Sequence, residues 1–289
     1  MSVDGEGTGR EERWPRDLPE GWARQPVRQM DALELLRELR RDDVLPDLIV
    51  VDPPFGIQRI LTGRRTSADR PAPAFVDRWP AGLDGYLDWM DRLLEEIAST
   101  LAPEGSLLLH CDQHASPYLA VLADRHLGAG ERGGGSSRRP GFRNELVWRY
   151  GLGGSSRRAW PRKHDTILWY TRGTSWYFDP PMVPATSARM KGMMKKHPDV
   201  LDIPAINNMA RERTGYPTQK PLALLRLLVR AHAPQGGLVV DPCCGSGTSL
   251  VAARETGRVA LGGDLSPEAV TIAGRRLAEL LAGVCGSGD

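Results

Sequence analysis

The sequence predicts an α/β fold in which helices cover both faces of a mostly parallel sheet. Short apolar runs, such as IVV at 49–51 and LVV at 238–240, are typical of strands that are buried on both faces. Longer segments with apolar residues at helical spacing separate these runs, so strands and helices alternate along the chain.

The first strand–helix–strand unit begins near residue 25. A short strand around Val27 leads to Asp31, and Leu33, Leu36 and Leu39 then follow helical spacing. A second, buried strand ends at DPPF, residues 52–55. The preceding residues, 1–24, are polar and rich in Gly and Pro, which predicts a disordered N-terminal tail.

The middle of the chain continues the alternation. Residues 59–80 are basic, Pro-rich and aperiodic, and predict a loop that is a candidate lid. An amphipathic helix is expected from residue 83 to 101, followed by the strand SLLLHC and a helix around PYLAVLADRHLG. The low-complexity stretch 128–141 predicts a flexible surface loop. The runs NELVWRYG and HDTILWYTRG predict paired strands near a sheet edge.

The last third repeats the same plan. KPLALLRLLVRAHAP predicts an apolar helix, and GGLVVDPCCGSGTSLVAARETG predicts a strand, a Gly-rich turn and a helix. RVALGGDLSPEAVTIAGRRLAELL predicts a further strand and helix, after which residues 281–289 are expected to form a flexible tail. Residues 25–280 are therefore expected to form a single domain.

Composition limits the classes of protein to which the chain can belong. No run approaches 18 apolar residues and the N-terminal segment lacks a signal-peptide core, so we expect a soluble, cytoplasmic protein with no membrane partner. The four cysteines form neither a CxxC pair nor a Cys/His cluster at zinc spacing. The sequence therefore predicts no metal site.

Charge is distributed unevenly along the chain. Residues 130–230 contain 19 of the 38 Lys and Arg but only 7 of the 36 Asp and Glu, although the net charge of the whole chain is +2. Such segregation is typical of a protein that binds a polyanion. A basic face that is merely solvated is the alternative.

DPPF is an unusual end for a buried strand. Proline fixes φ and has no N–H, so Pro53 and Pro54 predict a rigid corner beside the carboxylate of Asp52 and the ring of Phe55. We interpret these four residues as a candidate catalytic motif. An ordinary turn that ends a strand is the alternative.

The turn in DPCCGSGT is the second candidate site. Gly245 and Gly247 lie between a strand and a helix, where missing Cβ atoms allow a ligand to approach the backbone. Asp264 follows Gly247 by 17 residues, close to the spacing of an acid that binds ribose hydroxyls. Leu250 replaces the third glycine of a dinucleotide motif, and Asp241 would repel a pyrophosphate. A cationic or zwitterionic nucleoside such as S-adenosylmethionine is therefore favoured over NAD, and a turn that only packs a helix on the sheet is the alternative.

Taken together, the motifs DPPF, GYPTQKPLALL and DPCCGSGT resemble the amino-methyltransferases of DNA, in the permuted class whose catalytic motif precedes the cofactor motif. FRNELVWRYG, RKHDTILWYT and INNMARERTGYPTQKP are similar to segments of type III restriction-modification subunits and their solitary relatives. The resemblance implies a Rossmann-like S-adenosylmethionine-dependent methyltransferase fold with a seven-stranded sheet. It also implies that 181–200 is a shortened target-recognition insert.

The resemblance further implies how S-adenosylmethionine is bound. Asp264 would bind the ribose, Asp31 the adenine amino group, and Gly245 and Gly247 the methionine part. Lys220, with its neighbours in the TQK motif, would close the site over the methionine carboxylate. The complete set of expected cofactor residues is Asp31, Thr218, Gln219, Lys220, Asp241, Cys243, Gly245, Ser246, Gly247, Thr248, Asp264 and Leu265.

The catalytic motif has the chemistry that such a reaction needs. An exocyclic amine is a poor nucleophile because its lone pair is delocalised into the ring. The Asp52 carboxylate and the Pro53 carbonyl can accept its two N–H bonds, while Phe55 stacks on a base that has left the duplex. By family association, Asp at position 52 favours adenine N6 over cytosine N4. The sequence also leaves open the methylation of RNA or another amine, and a vestigial protein that only binds nucleic acid.

Basic residues beside an aromatic ring suggest where DNA is bound. The expected contacts around Trp160 are Arg157, Arg158, Arg162, Lys163 and His164, and Lys195 and Lys196 add charge within the insert. The cluster of Met190, Met193 and Met194 is expected to pack internally. His110 and His164 are each open to a purely structural role. A homodimer and a restriction subunit as partner are both left open by the sequence.

Overall fold

An eight-stranded sheet forms the centre of the protein. The computed structural model describes residues 18–57, 59–62, 73–130, 132, 139–151, 157–207 and 210–285. The strands of this sheet are β1 (Val27–Gln29), β2 (Leu48–Val51), β5 (Ser106–Cys111), β6 (Gly141–Arg149), β7 (His164–Thr171), β10 (Val200–Asp202), β11 (Leu238–Asp241) and β12 (Val259–Asp264). Their spatial order is β1-β12-β11-β2-β5-β7-β6-β10.

Most of the sheet is parallel, as the sequence predicts. The five strands from β1 to β5 in this order run parallel to one another, and β7 is antiparallel to both β5 and β6. The paired runs at 144–151 and 164–173 are therefore confirmed as neighbouring strands. The sheet has eight strands rather than the seven that the resemblance implies. The additional strand is the short β10, which pairs in parallel with β6 at the edge.

Helices cover both faces of the sheet. They are α1 (Glu20–Arg24), α2 (Ala32–Arg41), α3 (Leu83–Thr100), α4 (Ser116–Leu127), α5 (Leu222–His232), α6 (Thr248–Glu255) and α7 (Pro267–Cys285). Helices α2, α3 and α4 pack in one apolar layer, and α5, α6 and α7 pack in the other. Strand β2 contributes to both layers, since Ile49 and Val51 face the first and Leu48 and Val50 face the second.

Two small hairpins lie outside the central sheet. Strands β3 (Arg59–Thr62) and β4 (Pro73–Asp77) pair in antiparallel fashion within the segment that was predicted as a loop. That prediction is wrong over these two strands, because a short, Pro-rich ladder has no regular alternation to reveal it. Strands β8 (Met182–Pro184) and β9 (Met194–Lys196) form the second hairpin, within the 181–200 insert.

The predicted tails also differ from the structure. Trp22 in α1 is buried, donates a hydrogen bond of 2.8 Å to Asp42 and lies beneath the guanidinium of Arg28. The prediction of a disordered tail is therefore wrong for residues 18–24, because one buried aromatic ring fixes a segment that is otherwise polar. Helix α7 continues to Cys285, beyond the predicted start of the C-terminal tail. Residues 1–17, 286–289 and much of the 128–141 loop lie outside the described residues.

Within the described ranges, no helix combines the length and the apolar character needed to cross a membrane. The same residues contain no group of three or more His, Cys, Asp or Glu arranged to bind a metal ion.

Candidate active site

The two predicted motifs meet at the carboxyl ends of neighbouring parallel strands. DPPF follows β2 and the Gly-rich turn follows β11, and the ladder between these strands aligns Ile49 with Val240. The residues after both strands line a cavity of about 600 Å³. This location is typical of ligand sites in open α/β sheets, and the volume lies within the range of roughly 300–1,000 Å³ of small-molecule sites.

Asp52 forms an ion pair with Lys220, and both residues line the cavity. The Lys220 Nζ lies 2.5 Å from Asp52 Oδ2 and 5.3 Å from the centre of the Phe55 ring. Asp52 Oδ1 is buried and has no hydrogen-bond partner among the described residues. One oxygen of the carboxylate is therefore paired with a cation and the other is enclosed.

Phe55 stacks on a histidine at the end of the adjacent strand. Its ring lies 5.9 Å from the ring of His110 with an angle of 20° between the planes. His110 Nε2 lies 3.0 Å from Asp165 Oδ2. Burial alone raises the pKa of Asp165, but the hydrogen bond and charge of His110 outweigh it and hold this pKa below its usual range. The ionised Asp165 thus fixes the imidazole that supports Phe55.

Asp77 organises the backbone that follows the two prolines. Its buried carboxylate accepts hydrogen bonds from the backbone N–H groups of Phe55, Gly56 and Ile57 at 3.0–3.1 Å. It accepts a fourth, of 2.9 Å, from the indole of Trp79. Because Asp77 ends β4, this carboxylate also attaches the β3–β4 hairpin to the DPPF corner.

The Gly-rich turn is fixed by the acid at the end of the next strand. Asp264 Oδ2 accepts from the Gly245 N–H and Oδ1 from the Ser266 N–H, each at 2.9 Å. Gly245 has φ of +49° and supports the ring of Tyr216, which a Cβ atom at position 245 would approach to 3.0 Å. Burial raises the pKa of Asp264, although both N–H donors oppose the shift. Each oxygen retains a lone pair for a further donor.

Asp241 is buried directly behind this turn. It accepts a hydrogen bond of 3.0 Å from the Cys243 N–H and a second from the Ser249 hydroxyl. Burial raises its pKa to about 7 despite both donors. Burial also raises the pKa of the Cys243 and Cys244 thiols, which are therefore neutral rather than nucleophilic thiolates.

Most of the chain matches the sequence profile of a known family. A sequence profile described as DNA methylase (N6_N4_Mtase) matches residues 46–275. The chain belongs to the DNA methylase family. As the resemblance implied, it is an amino-methyltransferase of DNA that depends on S-adenosylmethionine and has the α/β fold of such enzymes.

Individual relatives of this DNA methylase match most of its length. It is 26% identical to the type II methyltransferase M.ScaI of Streptomyces caespitosus over 271 residues, covering 86% of this chain and 79% of the relative. It is 25% identical to the DNA adenine methyltransferase YhdJ of Escherichia coli, covering 86% and 80%.

Solved structures agree with the fold of this DNA methylase. The crystal structure of the M1.HpyAVI-SAM complex has a TM-score of 0.58 at 20% identity and covers 87% of this chain and 98% of that one. The cytosine-N4-specific PvuII DNA methyltransferase has a TM-score of 0.60 at 17% identity and covers 86% and 85%.

The cavity of the DNA methylase fits S-adenosylmethionine. Among the described residues, five carboxylates line it, from Asp31, Asp52, Asp77, Asp241 and Asp264, together with one lysine. Such a wall favours a ligand with a cationic sulfonium and disfavours a pyrophosphate. Gly245 lines the cavity beside Asp264, where an acid can accept ribose hydroxyls, as the sequence suggests.

Nearly all residues of the two predicted sets are brought together. Asp52, Pro53, Pro54 and Phe55 line the cavity, as do all predicted cofactor residues except Gly247. Gly247 has φ of +74°, and a Cβ atom there would meet the Cβ of Ala273 in α7 at 2.7 Å, so it packs helices together. Asp31 caps α2 by accepting from the Leu33 N–H, and the Gln219 side chain bonds Thr214 and Glu212.

Four residues of the site were not among the predicted site residues. They are Asp77, His110, Asp165 and Tyr216. His110 is near the end of β5, which neighbours β2, and Asp165 is near the start of β7, which runs antiparallel to β5. Both therefore lie at the ligand-binding edge of the sheet, which identifies them once the strand pairing is known. Tyr216 lies within the GYPTQKP motif, which carries part of the family resemblance. Asp77 has no sequence pattern that marks it, since its role depends on the hairpin.

The residues of the methylase that were predicted to contact DNA differ in how far they are exposed to solvent. Arg157, Arg158 and His164 are exposed, as is 94% of Trp160. Arg162 hydrogen-bonds His114. Lys195 and Lys196 point to opposite faces of the β8–β9 hairpin, so they do not form one contact surface.

The methionines of the insert do not form the internal cluster that was expected. Met193 and Met194 are each more than half exposed, and Met182 is exposed on the same face of the hairpin as Met194 and Lys196. The prediction that these methionines pack internally is therefore wrong for Met193 and Met194. A two-stranded hairpin has no layer beneath it to bury them.

Proposed function

We propose that this chain transfers a methyl group from S-adenosylmethionine to the N6 atom of adenine at specific sites in DNA. The observation that carries the proposal is the carboxylate of Asp52, held at a rigid Pro-Pro corner in the same cavity as the Gly-rich turn. The aspartate at position 52 favours adenine by family association, and the similarity to YhdJ, a DNA adenine methyltransferase, supports the same choice.

The residues around the corner suit an amine that must attack in line. Asp52 accepts one N–H of the base and the Pro53 carbonyl can accept the other, which localises the lone pair on nitrogen. When bound, the cofactor would supply a methyl group from a positively charged sulfur, and the C–S bond that breaks would leave a neutral thioether. After attack, the Asp52 carboxylate can accept the proton that the amine loses.

Phe55 is positioned as a platform for the flipped base. Base stacking on an aromatic ring contributes about 1–3 kcal/mol, which offsets part of the cost of leaving the duplex. His110 supports the opposite side of Phe55, and Asp165 holds His110 in turn. The ring is therefore preorganised before the base arrives.

The test is identification of the methylated base. The protein is incubated with methyl-labelled cofactor and genomic DNA, the DNA is digested to nucleosides, and these are separated. We expect label in N6-methyladenine. Label in N4-methylcytosine would replace adenine by cytosine in the proposal, and label in RNA alone, in a parallel incubation with RNA, would remove DNA as the substrate. Sequencing of the methylated DNA then gives the recognition site.

Replacement of Asp52 tests the role of its carboxylate. Asp52→Ala removes the acceptor and should reduce methyl transfer by about 100-fold or more. Cofactor binding, measured by calorimetry, should not be lost, because Asp52 is assigned to the base. Asp88→Ala, at an exposed position on α3, is the matched control and should transfer normally. Full activity of Asp52→Ala would falsify the mechanism.

A further inference from the structure

Lys220 holds the oxygen of Asp52 that a substrate can reach. Its Nζ lies 2.5 Å from Oδ2, and the Lys220 side chain is only 12% exposed. The other oxygen, Oδ1, is closed off from solvent. An amine that enters the cavity therefore has to reach Oδ2, where an ammonium group already donates.

The ammonium group also occupies the position that the target amine needs. It donates to Asp52 while lying 5.3 Å from the centre of the Phe55 ring. A base that stacks on Phe55 and donates its exocyclic N–H to Asp52 requires the same two contacts. Lys220 and the target amine cannot both make them fully.

The charges of the cavity wall indicate where Lys220 can go. Five carboxylates line the cavity, and among the described lining residues Lys220 is the only Lys or Arg. The methionine part of the cofactor carries a carboxylate, which those acids repel and which needs a cationic partner in a site of low polarity. The flexible four-carbon stem of a lysine allows its ammonium group to change partner.

We propose that Lys220 exchanges Asp52 for the carboxylate of the bound cofactor and thereby frees Asp52 for the base amine. Cofactor and base then bind with positive coupling, and the base site is blocked while the cofactor is absent. The inference deepens the proposed function and rests on it only for the identity of the base. One ion pair replaces another, so the Lys220 charge is never left buried and unpaired.

Thermodynamic linkage makes the exchange measurable without DNA. If the cofactor carboxylate competes with Asp52 for Lys220, then removal of the Asp52 charge must strengthen the preference for that carboxylate. The probes are S-adenosylhomocysteine and its decarboxylated counterpart, which both have a neutral sulfur. The measured quantity is the ratio of their dissociation constants by calorimetry, in the full-length wild type and in Asp52→Asn, Lys220→Met and the double variant.

The exchange predicts a specific pattern of ratios. Asp52→Asn should raise the preference for the carboxylate about tenfold, because Lys220 is then free to bind it. Lys220→Met should reduce the preference to near unity. In the Lys220→Met background, Asp52→Asn should change nothing, which separates competition for Lys220 from direct repulsion between two carboxylates. Lys191→Met, exposed in the insert, is the matched control and should keep the wild-type ratio.

Two outcomes would overturn the inference. If Lys220→Met keeps the wild-type preference, the carboxylate binds elsewhere, for example at the N-terminus of α6. If Asp52→Asn raises the preference equally with and without Lys220, repulsion explains it. Lys220→Gln repeats the measurement with a polar side chain. Because no methyl transfer is involved, these outcomes are distinct from a failure to find any methylated base, which would instead remove the proposed function.

Discussion

At the scale of single residues, Asp241 shows how burial changes the chemistry of a carboxyl group. Two donors bond it, yet burial raises its pKa to about 7. Because the native pKa lies above the unfolded value, the resulting stabilisation is fully present below about pH 4 and is lost as pH rises through about 7. Asp241 is therefore partly neutral at neutral pH.

A cationic cofactor should favour the ionised form of Asp241 over the neutral form. We expect S-adenosylmethionine to bind more tightly as the pH rises from about 6 to 8, because ionised Asp241 attracts its positive charge. Asp241→Asn should reduce this slope, since its side chain does not ionise. Calorimetric titrations across this range provide the measurement, with exposed Asp88→Asn as the control that keeps the wild-type slope. An unchanged slope in Asp241→Asn would assign the dependence to another group.

At the scale of elements, strand β4 joins both halves of the site. Asp77 at its end binds the backbone after Pro54. Two residues earlier, Phe75 stacks on Tyr216 at 6.5 Å, and Tyr216 in turn lies against Gly245. A displacement of this strand therefore disturbs the DPPF corner and the Gly-rich turn together.

Asp77→Asn tests the attachment to the catalytic corner. An amide nitrogen in place of one oxygen would face N–H donors, leaving backbone groups unpaired at a cost of about 1–3 kcal/mol. Misplacement of reacting groups by about 1 Å costs on the order of 100-fold in rate, so we expect methyl transfer to fall by that order. Cofactor affinity should change much less. Asp84→Asn, exposed in the first turn of α3, should remain fully active, and equal activity of both variants would contradict the role of Asp77.

Gly247 and Gly274 are two glycines at which substitution by alanine should have opposite effects on stability. Gly247 lies at the start of α6, packed against α7, whereas Gly274 lies within α7. Gly247→Ala would place a Cβ 2.7 Å from Ala273 at a φ of +74°, and should lower the free energy of unfolding by about 1–3 kcal/mol. Gly274→Ala, within α7, meets no atom within 4 Å and should raise it by about 0.5–1 kcal/mol. Urea denaturation measures both. If both substitutions raise the free energy of unfolding, close packing at Gly247 does not oppose a Cβ atom there.

At the scale of the whole molecule, much of the fold follows from the alternation of apolar strands and helices. The meeting of Asp52 and Gly245 is also predictable, because carboxyl ends of neighbouring parallel strands share one edge. The pairing of Lys220 with Asp52 is not, since it depends on how a loop closes in three dimensions. The docking of Trp22 and the formation of the β3–β4 hairpin also depend on long-range contacts, which the local periodicity of apolar residues does not predict.

The uneven charge of the molecule leads to a prediction about DNA. Arg157→Ala with Arg158→Ala removes two exposed cations of the basic region. We expect weaker binding to DNA of every sequence. The slope of log K against log salt concentration should become less steep by about 2, because each phosphate contact contributes roughly one to that slope. Fluorescence anisotropy at several salt concentrations measures this. The pair Arg41→Ala and Arg92→Ala, exposed on α2 and α3, removes equal charge and should leave the slope unchanged.

The position of β11 between β2 and β12 has a consequence for folding. Leu48 pairs with Val239, so the central ladder joins segments from opposite ends of the chain. Such long-range contacts form late, after most local structure. During synthesis, the N-terminal half can fold its helices and the DPPF corner, yet it has neither Lys220 nor the glycine turn. The cavity therefore lacks part of its lining in the nascent chain until the residues up to Asp264 have been synthesised.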